Sequence, residues 1–169
     1  MNLRKANQSE LPVSWEIIQY AIAQRKQDGS DQWQDGYPNE TTLQHDLDNG
    51  NAYVITEGDT VLAYAAIIFD KEPAYENIEG KWLTYSDYAV VHRVAASKLA
   101  KGKAVGMNLF QMIEGLCRDK KIYSIKVDTN FDNKPMLKIL EKLNYTYCGE
   151  VYFRGGARKA FEKVLSTHK

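Results

Sequence analysis

Cysteine is scarce: Cys117 and Cys148 are the only two in 169 residues. Two widely spaced thiols make neither a disulfide framework nor a metal-ligand pair, so the chain is expected to hold itself together by packing. Histidine is scarce too, and His45, His92 and His168 stand too far apart in sequence to show ligand spacing. Net charge is absent, because 22 Lys plus Arg balance 22 Asp plus Glu. That balance argues against a nucleic-acid partner gripped through its phosphates. No apolar run approaches membrane-spanning length, and the amino terminus lacks a signal-peptide core. No repeat, low-complexity tract or linker divides the chain. The P-loop pattern Gly-x-x-x-x-Gly-Lys-Ser/Thr is missing. So is the Gly-x-Gly-x-x-Gly that would open a dinucleotide fold after a first strand. The expectation is one cytoplasmic domain over residues 1–169, large enough to bury a core, with no metal, nucleic-acid or membrane partner.

What is present centres on residues 90–117. Val90, Val91, Val94, Ala95 and Ala96 are small or β-branched and suit a buried strand. A polar break at Ser97–Lys103 follows. Val105, Leu109, Met112 and Leu116 then recur at helical spacing, with Phe110, Ile113 and Cys117 beside them. A strand, a basic glycine-containing turn and a helix together make an anion cradle. The first helical N–H groups have no partner and carry partial positive charge. Gly102 lets backbone approach a ligand, Gly106 keeps the first turn open, and Lys101 and Lys103 add cations. A phosphate or pyrophosphate fits such a cradle; solvated lysines on an ordinary turn are the plainer alternative.

Before this centre, Met1–Ala6 reads as a short edge strand. Ser9 is positioned to cap a helix carrying Leu11, Trp15, Ile18 and Ile22 on one face through about Gln24. The polar loop Gln27–Asn39 holds Trp33 and Tyr37, which either lid the core or wall a pocket. Asn39 caps a second helix over Glu40–Asp48, ended by Asn49-Gly50. Tyr53–Thr56 and Val61–Phe69 read as a hairpin turning at Gly58-Asp59. The segment Asp70–Tyr88 is rich in acidic and aromatic residues. Either Tyr75, Glu76, Trp82 and Tyr88 wall an acceptor site, or the segment is a flap over the sheet.

After the central helix, Ile125 and Val127 alternate against Lys126 in a strand over Ile122–Asp128. Asp132 or Asn133 caps a helix with Pro135 in its first turn and Met136, Leu137, Leu140 and Leu143 as its apolar face. Strands at Thr146–Phe153 and Ala157–Leu165 follow, separated by Gly155-Gly156.

The run Lys101-Gly102-Lys103-Ala104-Val105-Gly106 resembles the Arg/Gln-x-x-Gly-x-Gly/Ala motif of the GNAT acetyltransferases. Lys101 stands for Arg or Gln, and Ala104 stands for the first glycine, as it can inside a helix turn. The stretch from Asn133 to Tyr145 is similar to a second signature of that family. Asn133 matches its asparagine, Tyr145 its terminal aromatic, and Asn144 its glycine, since asparagine tolerates a left-handed backbone. The resemblance implies an α/β (α+β) fold with a mixed, mostly antiparallel sheet flanked by helices on both faces. It also implies acetyl-CoA in a wedge where the central strand and the strand at Ile122–Asp128 splay apart.

On that resemblance, Arg93, Val94 and Ala95 would hold the pantetheine arm and the acyl carbonyl through backbone N–H groups. Lys101, Gly102, Lys103, Ala104, Val105 and Gly106 would take the pyrophosphate, and Asn133 would contact the cofactor or orient a water. Amine attack on a thioester needs a base for the amine and an acid for the thiolate. Asp128 and His92 are the candidate bases, with a water chain as the alternative. The family's usual tyrosine acid falls on Leu140, so Tyr145, Tyr147 or Tyr152 would have to substitute. The acceptor is expected to be a cationic amine of a small molecule or peptide, facing Trp33, Tyr37, Tyr75, Glu76, Trp82 and Tyr88. The alternative is an acyl-CoA-binding sensor without turnover, which the missing tyrosine favours. Sheet edges at the carboxyl end would allow a homodimer.

Overall fold

A computed structural model describes every residue except Gly155, His168 and Lys169. His168 and the first half of the Gly155-Gly156 turn therefore lie outside the described residues. The elements run β1 (Asn2–Lys5), α1 (Leu11–Gln27), α2 (Glu40–Asp48), β2 (Ala52–Glu57), β3 (Thr60–Ile68), β4 (Glu79–Gly80), β5 (Ala89–Ala96), α3 (Val105–Asp119), β6 (Ser124–Thr129), α4 (Lys134–Lys142), β7 (Thr146–Phe153) and β8 (Gly156–Val164). The strands form one sheet in the order β1-β2-β3-β5-β6-β8-β7-β4. The pairing of β5 with β6 is parallel, while β1–β2, β2–β3, β6–β8, β7–β8 and β4–β7 are antiparallel. This is the mixed, mostly antiparallel α/β fold the sequence implied.

Contacts divide the chain into two compact units. The first comprises Met1–Ile67 and Arg93–Leu109. Its core joins Ile17, Ile18 and Ala21 of α1 and Leu43 of α2 to Val54 and Tyr64 of β2 and β3. Asn39 caps α2 as expected, its Oδ1 accepting the Thr42 N–H at 3.0 Å. Ser9 does not cap α1. A single 3-10 turn over Gln8–Glu10 precedes that helix, and the Glu10 carboxylate reaches back to the Asn7 N–H at 3.0 Å. The Ser9 hydroxyl donates to Asn7 Oδ1 instead.

The second unit comprises Ile68–His92 and Phe110–Lys169. Its 70–88 segment is a packed flap. Pro73–Asn77 forms a 3-10 turn that buries Tyr75, and Glu79–Gly80 adds the short strand β4, which the sequence had not suggested. Trp82 Nε1 donates to the Tyr75 carbonyl at 2.8 Å. Glu162 of β8 is fully buried and anchors the flap, accepting from Leu83 N, Thr84 N, Thr84 Oγ1 and Ser124 Oγ.

The flap explains the burial of β6. Residues two apart on a strand share a face. Ser124, Lys126 and Asp128 make one face of β6, and each meets a group of the flap or of a neighbouring strand. Lys126, which alternated with apolar residues in the sequence, is buried rather than solvated. Its ammonium lies 4.5 Å from the Trp82 ring centre and 4.1 Å from that of Tyr88, and it donates to the Thr84 carbonyl at 3.2 Å. Burial lowers its pKa, and the nearby carboxylates of Glu162 and Glu76 work against that shift.

The buried stripe of α3 is also rotated from the expected one. Leu109, Phe110, Ile113 and Cys117 are buried, whereas Met112 and Leu116 are only half-buried. Glu114 lies inside the stripe because Lys163 of β8 reaches it at 2.9 Å.

Candidate active site

Strand β5 contributes candidate residues to each of the two units. In the second unit, Val90 pairs with Lys126 and Val91 with Val127, which places His92 beside Asp128. His92 Nδ1 lies 3.6 Å from Asp128 Oδ1, and Nε2 lies 3.7 Å from Glu72 Oε1. The imidazole thus stands between two carboxylates, and its ring meets Tyr75 and Phe153 edge-on. The Tyr75 hydroxyl donates to Asp128 Oδ1 at 2.5 Å. Burial pushes the Tyr75 phenol far above its usual range, and the charge of Asp128 adds to the shift. Glu72 is held in turn, its N–H donating to the Tyr88 hydroxyl at 2.9 Å.

Both candidate bases are therefore brought together, but none of the three proposed tyrosine acids is among the groups described around them. Tyr145 is buried edge-on against Phe110, its hydroxyl without a hydrogen-bond partner among the described residues, and burial raises its pKa far above the ordinary value. Tyr147 is exposed and packs on Phe161. Tyr152 donates to Glu79 at 2.6 Å, and that bond pushes its pKa up to about 12. The tyrosine at the pair is Tyr75, which the sequence reading placed in an acceptor wall.

That wall also needs correction. Tyr75, Trp82 and Tyr88 are buried in one aromatic cluster with Val90, Cys148, Val151 and Ala160, so they belong to the covering flap. Glu76 remains about half exposed. Glu72 was missed, as no periodic signal marks an acidic residue in an irregular segment.

In the first unit, Arg93 has φ 54 inside β5. A long side chain in this left-handed region is an outlier. Arg93 Nε and Nη2 donate to Asp46 at 2.9 and 2.6 Å, and Nη1 donates to the Tyr37 hydroxyl at 2.7 Å. Tyr64 also donates to Asp46, at 2.6 Å. Burial works against the Arg93 charge, but its bonds to Asp46 outweigh that and raise the guanidinium pKa. Tyr37 thus serves as an internal ligand of Arg93, and Trp33 is buried with Arg25 stacked 3.8 Å over its ring. Asp46 and Tyr64 were missed too. An acid three residues after Leu43, on the apolar face of α2, was the available signal.

The anion cradle follows β5. Gly102 and Ala104 both have positive φ, 81 and 52. Alternation of such residues with ordinary ones turns successive N–H groups toward a common point, a nest for anions. Ala104 is not inside a helical turn, as the sequence suggested, but in a strained position just before α3, whose first residues are Val105 and Gly106. Lys103 pairs with Glu57 at 2.8 Å. Asn133 caps α4, accepting the Met136 N–H at 3.3 Å. Asn144 takes the left-handed backbone expected of it, with φ 65.

The chain matches the acetyltransferase (GNAT) family model over residues 15–145. It belongs to the GNAT acetyltransferase family. A crystal structure of a GNAT-family acetyltransferase from Streptococcus agalactiae is 37% identical, with a TM-score of 0.89 over 98% of this chain and 95% of that one. A GNAT-family acetyltransferase from Listeria monocytogenes shares the fold at 16% identity, with a TM-score of 0.77 over 97% of this chain and 94% of that one. The yncA acetyltransferase structure from Salmonella typhimurium, which contains acetyl-CoA, shares it at 13% identity and a TM-score of 0.68, over 99% and 95% of the two chains. No curated protein matches the sequence. Among the described residues of this acetyltransferase, no cluster of His, Cys, Asp and Glu could hold a metal, and no helix is long and apolar enough to cross a membrane.

Proposed function

We propose that this acetyltransferase moves an acetyl group from acetyl-CoA to a primary amine by direct attack in a ternary complex. The observation that carries the reading is the His92 imidazole held between Asp128 and Glu72. The positive-φ turn at Gly102 and Ala104 fits a pyrophosphate; Lys101 supplies countercharge, and Lys103 would add to it by leaving the Glu57 carboxylate with which it pairs. Arg93, Val94 and Ala95 would present backbone donors to the pantetheine arm and acyl carbonyl. Asn133, as the cap of α4, would contribute at most its amide nitrogen. When bound, acetyl-CoA supplies an activated acyl thioester, whose C–S bond breaks as the amine nitrogen bonds to carbon.

Glu72, Asp128 and the half-exposed Glu76 favour an acceptor that arrives as an ammonium ion. His92 Nε2, on the Glu72 side, would take its proton, while Asp128 faces Nδ1 and holds the ring. Separations of 3.6 and 3.7 Å are long for hydrogen bonds, and catalytic bonds of this kind tighten in the Michaelis complex. Tyr75 keeps Asp128 aimed at the ring. The acceptor is a small-molecule or peptide amine, and uncharged or acidic acceptors would be poor.

Calorimetric titration with acetyl-CoA, with ATP and NAD as controls, tests the cofactor. Binding of acetyl-CoA alone, weakened at least tenfold by Lys101→Ala with Lys103→Ala, is expected. Turnover of a polyamine, aminoglycoside, amino-acid and peptide panel tests the reaction. His92→Gln should lower kcat/KM by roughly 10²–10⁴-fold. Tight acetyl-CoA binding without turnover of any amine would support the sensor reading, for which the buried Leu140 at the usual tyrosine position is the observation.

A further inference from the structure

Arg93 requires an explanation that packing alone does not supply. Its left-handed φ of 54 falls inside β5, one residue after His92. Backbone strain of this kind persists only where surrounding groups over-determine it, and such places cluster at functional sites. Here three buried or partly buried groups do so. Asp46 binds the guanidinium through both carboxylate oxygens, Tyr37 takes a third N–H, and Tyr64 holds Asp46. A guanidinium gripped at Nε, Nη1 and Nη2 cannot rotate, so its stem tethers the Arg93 backbone within reach of Asp46 and Tyr37. The peptides that follow, of Val94 and Ala95, inherit that orientation.

We propose that Asp46, with Tyr37 and Tyr64, is a positioning unit that holds Arg93 left-handed and thereby aims the Val94 and Ala95 backbone donors at the acyl carbonyl of acetyl-CoA. None of the three touches the reacting atoms in this scheme. The inference rests on the acetyl-CoA reading above, and it predicts a dependence on backbone conformation that a purely structural ion pair would not show. Glycine adopts positive φ without cost, whereas alanine does not. In an Asp46→Asn background, Arg93→Gly should therefore retain what Arg93→Ala loses.

The test is calorimetric titration of acetyl-CoA and of CoA, which lacks the acyl carbonyl, into the full chain. The wild-type protein should bind acetyl-CoA more tightly than CoA. Asp46→Asn with Arg93→Ala should bring that ratio to one, and Asp46→Asn with Arg93→Gly should restore most of it. Tyr37→Phe keeps the Asp46 pair and so keeps the fold; it should reduce the ratio several-fold. In turnover, the alanine variant should lose roughly 10²-fold in kcat, the loss expected of a misplaced donor, with little change in KM for the amine. Equal ratios in the wild type, Tyr37→Phe, alanine and glycine proteins would overturn the proposal while leaving acetyl-CoA binding intact. Failure of the wild type to bind either ligand would overturn the cofactor reading and this proposal with it.

Discussion

The phenol of Tyr75 donates to Asp128 Oδ1 across 2.5 Å, although 53 positions separate the two residues. This bond ties the flap to β6 and fixes the carboxylate that faces His92. Tyr75→Phe should leave the aromatic cluster packed but free Asp128 to turn. A hydrogen bond to a charged group contributes about 1.5–3 kcal/mol, so a stability loss of about that size is expected. Steady-state kinetics should show kcat reduced about tenfold with the amine KM nearly unchanged. Stopped losses in Asp128→Asn combined with Tyr75→Phe, no larger than in Asp128→Asn alone, would confirm that Tyr75 acts through Asp128.

Gly80 and Gly149 face each other where β4 pairs with β7, each with φ +139. A methyl group on Gly149 would lie 2.1 Å from the Glu79 carbonyl oxygen, and one on Gly80 would lie 2.1 Å from that of Cys148. Both obstacles are backbone, so neither can step aside alone. Gly149→Ala is expected to detach β4 from β7. The backbone conformation alone costs about 1–3 kcal/mol, before the overlap is counted. Thermal melting checks the loss, and faster proteolysis within 70–88 would locate it.

Ala104 sits at φ 52 in the anion cradle. Left-handed backbone costs an L-residue about 1–2 kcal/mol, most of which glycine avoids. Ala104→Gly should therefore stabilise the protein by about 0.5–1 kcal/mol in chemical denaturation. Acetyl-CoA affinity should be kept or improved, because the N–H directions are unchanged. Ala104→Val should lower both.

Tyr64, Tyr75 and Tyr145 are all held neutral by burial, their pKa values raised above the ordinary tyrosine range. A raised folded-state pKa means that the folded chain keeps protons the unfolded chain releases. The resulting stability is complete below about pH 10, the unfolded tyrosine value, and is lost as pH rises from there toward the folded-state values. Each such tyrosine adds a slope of about 1.4 kcal/mol per pH unit in that window. Denaturation at pH 8 through 11 should show the fall beginning near 10, and Tyr75→Phe should make it shallower by one tyrosine.

The sheet and the helices were largely legible in the sequence. The bounds of α2 and β7 coincide with the expected ones, because Asn39 and Asn49-Gly50 delimit α2 by local chemistry, and Asn144 sets the start of β7. Alternation was less reliable where a second layer covers the sheet. Lys126 alternates like a solvent-facing residue, yet the flap covers it, since aromatic faces and the Thr84 carbonyl replace water around the ammonium. The same flap explains why Tyr75 and Trp82 read as pocket walls: an aromatic residue in an irregular segment gives no indication of which surface it will meet.

His92, Asp128 and the turn at Lys101–Gly106 were visible from residue type and from their place relative to strand and helix, because those features are local. The partners of these residues were not. Glu72, Tyr75 and Asp46 lie far from His92, Asp128 and Arg93 in sequence, and no periodicity links them. Only tertiary structure decides such pairings. A carboxylate, a phenol and a guanidinium gain from one another only when folding brings them within hydrogen-bond reach and removes the water that would otherwise screen them.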